Sequence, residues 1–268
     1  MTAPRSSDET GPARRAWRWS DGFAAGGAPR QLDVIAVGAH PDDVEIGCGG
    51  TLALLAAQGF SVGIVDFTDG EPTPRSSGPE QRLAEAAAAA RVLGAVHREH
   101  LGFPNRRLFD CFEARVALAT VFRRHRPGLV LGIAAKTPLA SPDHAEAVAL
   151  TEAAVFYSRL TKWDDLFPGL PVHTVPQLLG YFLFAGIPEA PPGQWPIVVD
   201  IAGHLETKLR AIGCYESQFP AQKAHVFPRV RAMAETAGVM AGCAAGEVLV
   251  GCRMPCTTEP MRLLFPGE

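Results

Sequence analysis

The sequence predicts an α/β protein on an open, mostly parallel sheet, and three observations carry that expectation. Short apolar, β-branched runs of strand length recur at residues 33–38, 61–67 and 129–134. Stretches of good helix formers follow each of them, at 44–58, 81–94 and 145–160. Polar turns lie between strand and helix, which is where parallel sheets collect their chemistry. At 268 residues, 47% hydrophobic and 20% charged, the chain is an ordinary globular one, able to bury a sizeable core. A net charge of −3 gives no electrostatic case for nucleic acid or an anionic membrane as partner, and no apolar run reaches the roughly 18 residues of a membrane span.

Residues 1–30 scatter Arg5, Arg14, Arg15, Arg18 and Arg30 among Ala, Gly, Ser and Pro, and read as a flexible extension before a single domain at 31–268. The Arg14-Arg15 pair lacks the apolar segment that an export signal needs, so a soluble, cytoplasmic protein is expected. The strand at 33–38 then delivers His40, Asp42 and Asp43 into a turn before the helix at 44–58. Pro41 fixes its own φ and biases His40 towards an extended conformation. Imidazole and carboxylate suit Zn²⁺ or Fe²⁺, and neighbouring residues project differently, so one aspartate can bind metal while the other faces water. The plainer alternative is a helix N-terminus with an acidic first turn.

After the strand at 61–67 and its polar turn Thr68-Asp69-Gly70 comes a loop rich in Pro, Ser and Gly, then the Ala-rich helix closed by Gly94. Arg82 stands in the first turn of that helix. A cation is mildly unfavourable there, which suits either an anionic partner or simple solvation. A short strand at 96–101 places His97 and His100 on different faces, and both read as structural. An amphipathic helix at 110–125 ends in arginines and His125, which suit the negative end of the dipole without any catalytic role. Beyond the strand at 129–134, His144 stands at the mouth of the next helix. Two histidines and an aspartate from two strand ends match the ligand type and number of an open zinc site; two unrelated helix ends are the alternative.

Later segments shape the pocket: strands at 177–184 and 197–201, a Pro- and Gly-rich loop around Glu189, a helix at 204–215, and a helix followed by a strand across 231–250. His173, His204 and His225 stand apart from carboxylate-rich turns and are expected to be non-ligands. Cys48, Cys111, Cys214, Cys243, Cys252 and Cys256 form no C-x-x-C pair and read as structural thiols, with Cys252-x₃-Cys256 the one possible pair.

Gly38-Ala39-His40-Pro41-Asp42-Asp43-Val44-Glu45 with Gly49-Gly50-Thr51, and Pro142-Asp143-His144, resemble the two signatures of the LmbE-like (PIG-L) zinc-dependent deacetylases. The resemblance extends to Arg82, to residues 198–201 and to residues 214–219, and covers about 32–260. The nearest branch it suggests is the N-acetylglucosaminyl-malate deacetylases of bacillithiol biosynthesis. It implies a Rossmann-like, mostly parallel sheet flanked by helices, with C-terminal elements shaping the substrate site. It further implies Zn²⁺, or Fe²⁺, on His40, Asp43 and His144, with Asp42 as general base, Arg82 touching substrate and Asp143 orienting a neighbouring histidine. The activity implied is hydrolysis of the linear amide of a small N-acetylated amino sugar, by a homo-oligomer.

The sequence departs from that family at Ser141, where relatives commonly carry histidine. Serine can donate a hydrogen bond, which makes Ser141 a substrate-binding candidate, but it cannot carry a proton at neutral pH. Asp42 is then expected to act as both base and acid. Two alternatives stay open: an amidase acting on a larger acyl group or a thiol conjugate, and a catalytically weak metal-binding homologue.

Overall fold

The apolar runs become strands β1 (Val34–Gly38), β2 (Val62–Thr68) and β4 (Leu129–Ile133), joined by β3 (His97–Phe103), β5 (Gln177–Tyr181), β6 (Trp195–Asp200) and β7 (Gly246–Gly251). In this computed structural model, residues 30–183 and 190–254 are described. The expected extension at 1–30, apart from Arg30, lies outside them, as do Phe184, Glu189 and Cys256. The described strands form one sheet in the order β3-β2-β1-β4-β5-β7-β6. β1 to β5 are parallel, and β7 runs antiparallel between β5 and β6. β1 and β2 are buried along their whole length, because helices cover both faces of the sheet.

Helices α1 (Asp43–Ala57) and α2 (Pro79–Leu93) pack with α5 (Leu205–Gly213) on one side, and α6 (Val226–Ala241) continues that layer beside β6 and β7. On the other side α3 (Phe112–His125) lies against α4 (Asp143–Ser158). The mostly parallel α/β sheet is therefore as expected, with three differences of detail. β3 runs on to Phe103, because an irregularity between Asp66 and Thr68 re-aligns β2 and lets Thr68 pair with Phe103. β5 ends at Tyr181, earlier than the expected 184. The C-terminal third does more than cover the pocket: β6 and β7 complete the sheet, and only a few of its residues reach the cavity.

α1 is positioned by its glycines. A Cβ on Gly47 would lie 2.1 Å from the Tyr181 ring, and one on Gly50 would lie 2.6 Å from Ile201. The helix also kinks at Cys48 (φ −139°, ψ 20°). Glu247, on β7, accepts the N–H groups of Gly50 and Thr51 at 2.9 and 2.7 Å and the Lys208 ammonium at 2.6 Å. Buried backbone donors need such partners, and here the partner comes from a strand almost 200 residues further along the chain.

Candidate active site

β1 and β4 are sheet neighbours, yet the chain leaves β1 towards β2 on one side and β4 towards β5 on the other. Crevices form at the carboxyl ends of strands where the order diverges in this way. The turn after β1 carries His40, Asp42 and Asp43 into that crevice, and the loop after β4 carries Ser141, Asp143 and His144. The Asp43 carboxylate knits the first turn by accepting the N–H groups of Ala39 (3.0 Å) and His40 (2.9 Å). Asp42 is held at φ 108°, a left-handed conformation that costs a non-glycine residue energy and is common at functional sites. The strain separates the two carboxylates. Asp43 faces His40 and His144, at 3.4 Å from a ring nitrogen of each, while Asp42 faces Arg82 at 3.7 Å.

His40 Nδ1, an Asp43 oxygen and His144 Nε2 could hold a metal ion, since one donor atom from each of the three residues lies within 4.8 Å of the others. The Asp43 carboxylate lies between the two rings, with one oxygen 3.4 Å from His40 Nδ1 and the other 3.4 Å from His144 Nε2, where imidazole and carboxylate suit zinc. Asp143 lies 3.2 Å from His40 Nε2 and takes the N–H of Arg106 at 2.6 Å. With Nε2 so engaged, His40 keeps Nδ1 on the Asp43 side; the histidine that Asp143 touches is thus His40. His144 Nδ1 is buried without a hydrogen-bond partner among the described residues. The Ser141 hydroxyl accepts the Asp143 N–H at 3.3 Å, leaving its own proton for another acceptor.

The electrostatics divide in the same way. Burial, seconded by Asp43 and Glu45, outweighs Arg82 and lifts the Asp42 carboxyl to about 7. For Asp43, burial is outweighed by His40 and His144, which hold it well below the usual carboxylate range. Burial alone would lower His40; Asp43 and Asp143 overcome it and raise it to about 10. Two adjacent aspartates therefore have opposite tendencies, which is how one turn can supply an anionic ligand and a proton acceptor.

These groups line a cavity of about 500 Å³. Arg82 was expected at a helix start facing partner or solvent. It is buried at the cavity wall, donating to the Pro41 carbonyl at 2.7 Å and lying over the Tyr215 ring. Asn105, Arg106, Gln218 and Lys223 also line the cavity, and sequence reasoning gave none of them a role, although Gln218 lies in the stretch 214–219 that it singled out. Behind the turn, Arg98 bridges Glu45 (2.6 Å) and Asp66 (2.8 Å), and the Tyr215 hydroxyl donates to Glu45 at 3.0 Å. The only signal of that cluster was a strand, His97 to Phe103, unusually polar for one whose residues 98–100 are buried.

His173 donates to the Pro127 carbonyl. Cys48, Cys111, Cys214, Cys243 and Cys252 are free thiols. No helix among the described residues is long and apolar enough to cross a membrane.

Comparison with known proteins agrees with this geometry. Residues 35–155 match the family described as GlcNAc-PI de-N-acetylase, PIG-L. The diacetylchitobiose deacetylase of Thermococcus kodakarensis is 34% identical over 78% of this chain and 79% of its own. The 1D-myo-inositol 2-acetamido-2-deoxy-alpha-D-glucopyranoside deacetylase of Actinosynnema mirum is 28% identical over 71% of this chain and 81% of its own. Among solved structures, the conserved protein TT1542 from Thermus thermophilus superposes with a TM-score of 0.74 at 35% identity, covering 86% of this chain and 98% of that one. With its two histidine-bearing turns, its sheet and its sequence in agreement, the chain belongs to the PIG-L (LmbE-like) deacetylase family.

Proposed function

We propose that this protein is a metal-dependent N-deacetylase that removes acetate from an N-acetylglucosamine conjugate, with Zn²⁺, or Fe²⁺, held by His40, Asp43 and His144. The observation that carries the reading is the convergence of those three side chains, from two neighbouring strand ends, on the wall of a cavity of about 500 Å³. When bound, the cation supplies Lewis acidity and lowers the pKa of water. Asp42, turned away from the three donors, takes a proton from the water that attacks the acetamide carbon, and returns it to the departing amine. Water is consumed; acetate and a free amino sugar leave. Arg82 keeps Asp42 in place and offers charge to the sugar side of the cavity. Asp143 positions His40. Ser141, its oxygen already engaged by Asp143, donates its proton to the carbonyl oxygen where relatives use histidine.

A second reading rests on Ser141 itself. Loss of an oxyanion donor or acid costs about 10²–10³ in rate, so a weak enzyme, or one suited to a larger acyl group or a thiol conjugate, is the rival. Homo-oligomeric assembly comes with the family resemblance, and the cytoplasmic location expected from the sequence belongs to the same proposal. The test is amine release by protein stripped of metal and reloaded with Zn²⁺ or Fe²⁺. It is assayed against N-acetylglucosaminyl malate, diacetylchitobiose, an inositol conjugate of N-acetylglucosamine and free N-acetylglucosamine, alongside Asp42→Ala. Turnover of at least one conjugate, lost in the apoprotein and in Asp42→Ala while that variant still binds metal, is expected. Equal turnover by apoprotein and holoprotein, or by Asp42→Ala, overturns the mechanism; metal binding without acetate release from any probe supports the rival.

A further inference from the structure

At the opposite end of the sheet from the candidate active site, a second group of side chains has the composition of a metal centre. His97 opens β3 and Glu99 follows two residues later on the same face of the strand. His125 is the last residue of α3. One donor atom from each lies within 4.8 Å of the others. Read from the sequence, these histidines had structural roles, and the deacetylase reading makes no use of them.

The hydrogen bonding leaves one atom unexplained. His125 is buried, and its Nδ1 donates to the Arg30 carbonyl at 2.8 Å. The proton is thereby placed on Nδ1, so the lone pair of the neutral ring lies on Nε2. Nε2 has no hydrogen-bond partner among the described residues, and it faces the Glu99 Oε1 atom at 3.7 Å. A lone pair aimed at a carboxylate oxygen inside the protein is repulsive unless a cation stands between them. His97 Nε2 is hydrogen-bonded to the same oxygen at 3.1 Å, a proton that a metal ion would replace, and the two imidazole rings have centroids 4.5 Å apart. Ligand atoms around tetrahedral zinc are about 3.3–3.6 Å apart, and the two separations of 3.1 and 3.7 Å bracket that value.

We propose that His97, Glu99 and His125 form a second site for a divalent transition metal of the zinc class, distinct from the candidate catalytic one. The surroundings agree with it. The carbonyl end of α3 is the negative end of its dipole and favours a cation. Arg124 lies 3.3 Å from the other Glu99 oxygen. It fixes the carboxylate's orientation while repelling the ion, so binding is weaker than in a site built of the same ligands alone. His97 is partly exposed, which gives the metal a way in and leaves room for water as a fourth ligand. A bound ion would tie the start of β3 to the end of α3 and, through His125 and the Arg30 carbonyl, to the segment leading into β1. The role is structural, with stability as its readout. The competing occupant of the gap is a proton, which would make His125 an imidazolium paired with Glu99.

Equilibrium dialysis of the full chain against Zn²⁺ or Co²⁺, with bound metal counted after removal of the free ion, separates metal from proton. A His40→Ala/His144→Ala variant removes the candidate catalytic ligands; it is expected to keep about one equivalent of metal and a metal-dependent rise in Tm. Adding His97→Ala, a partly exposed position that leaves folding intact by circular dichroism, is expected to abolish both. If the double variant does not fold, the wild-type chain is compared with His97→Ala alone. The expected result is the loss of one equivalent of bound metal. A folded double variant that binds no metal, or stoichiometry unaffected by His97→Ala, overturns the proposal and assigns the cluster to a proton. None of these readouts depends on the deacetylase reading, so the two can fail separately.

Discussion

Replacing Arg98 with methionine tests whether the active-site turn is braced by buried charge. Arg98 is 3% exposed and sits between Glu45 at 0% and Asp66 at 2%, with guanidinium contacts of 2.6 and 2.8 Å. Methionine fills much of the same volume, so the loss is chiefly electrostatic: two carboxylates are left facing each other out of water. Removing one partner of a buried ion pair costs about 3–5 kcal/mol. For a chain of this size each kcal/mol shifts Tm by roughly 2–4 °C, so a fall of about 6–20 °C is expected. Urea unfolding at pH 7 measures the loss directly. Burial lifts the Asp66 carboxyl to about 6 even beside Arg98, and losing the guanidinium lifts it further; the unfolded reference is common to both chains, so the gap between variant and wild type should shrink as the pH falls towards about 6. A loss below about 1 kcal/mol at pH 7, or a gap indifferent to pH, would mean that packing and not charge holds this cluster.

Further perturbations act on neighbouring parts. Gly47→Ala drives a methyl group into the Tyr181 ring and should cost about 1–3 kcal/mol by overpacking; an unchanged urea midpoint would show that the ring moves freely. Glu247→Ala strands the Lys208 ammonium and the N–H groups of Gly50 and Thr51, with an expected loss of about 3–5 kcal/mol, read by thermal unfolding. Asp143→Asn keeps the shape beside His40 but not the charge. It should weaken metal affinity about 10–100-fold in a chelator competition, and wild-type affinity would end the positioning role given to Asp143.

The parts of the site legible in the sequence were those written as local signals. His40 and Asp43 could be placed because a β-branched run ends just before them and a helix begins just after; His144 was read in the same way. The split between Asp42 and Asp43 was legible in kind, since adjacent side chains diverge, but the φ of 108° that enforces it was not. For Arg82 the sequence left an anionic partner and solvent equally open; its burial against Tyr215 and Pro41, residues far away in the chain, was not legible. Arg98 lies 53 positions from Glu45 and 32 from Asp66, and no periodicity reports such a meeting. The antiparallel insertion of β7 between β5 and β6 was equally invisible, because a buried strand reads the same in either direction.

The break in α1 at Cys48 gives a late-made strand authority over an early-made turn. Until Glu247 arrives, two amides in the middle of that helix have no acceptor, and the stretch bearing Asp43 and Glu45 is free to unwind from the piece behind it. The turn holds its own histidine and aspartate at fixed spacing, but the helix behind it is braced only by a strand made near the end of synthesis. A nascent chain, or one clipped ahead of that strand, would keep every residue named in the mechanism and still lack the rigid wall on which they converge.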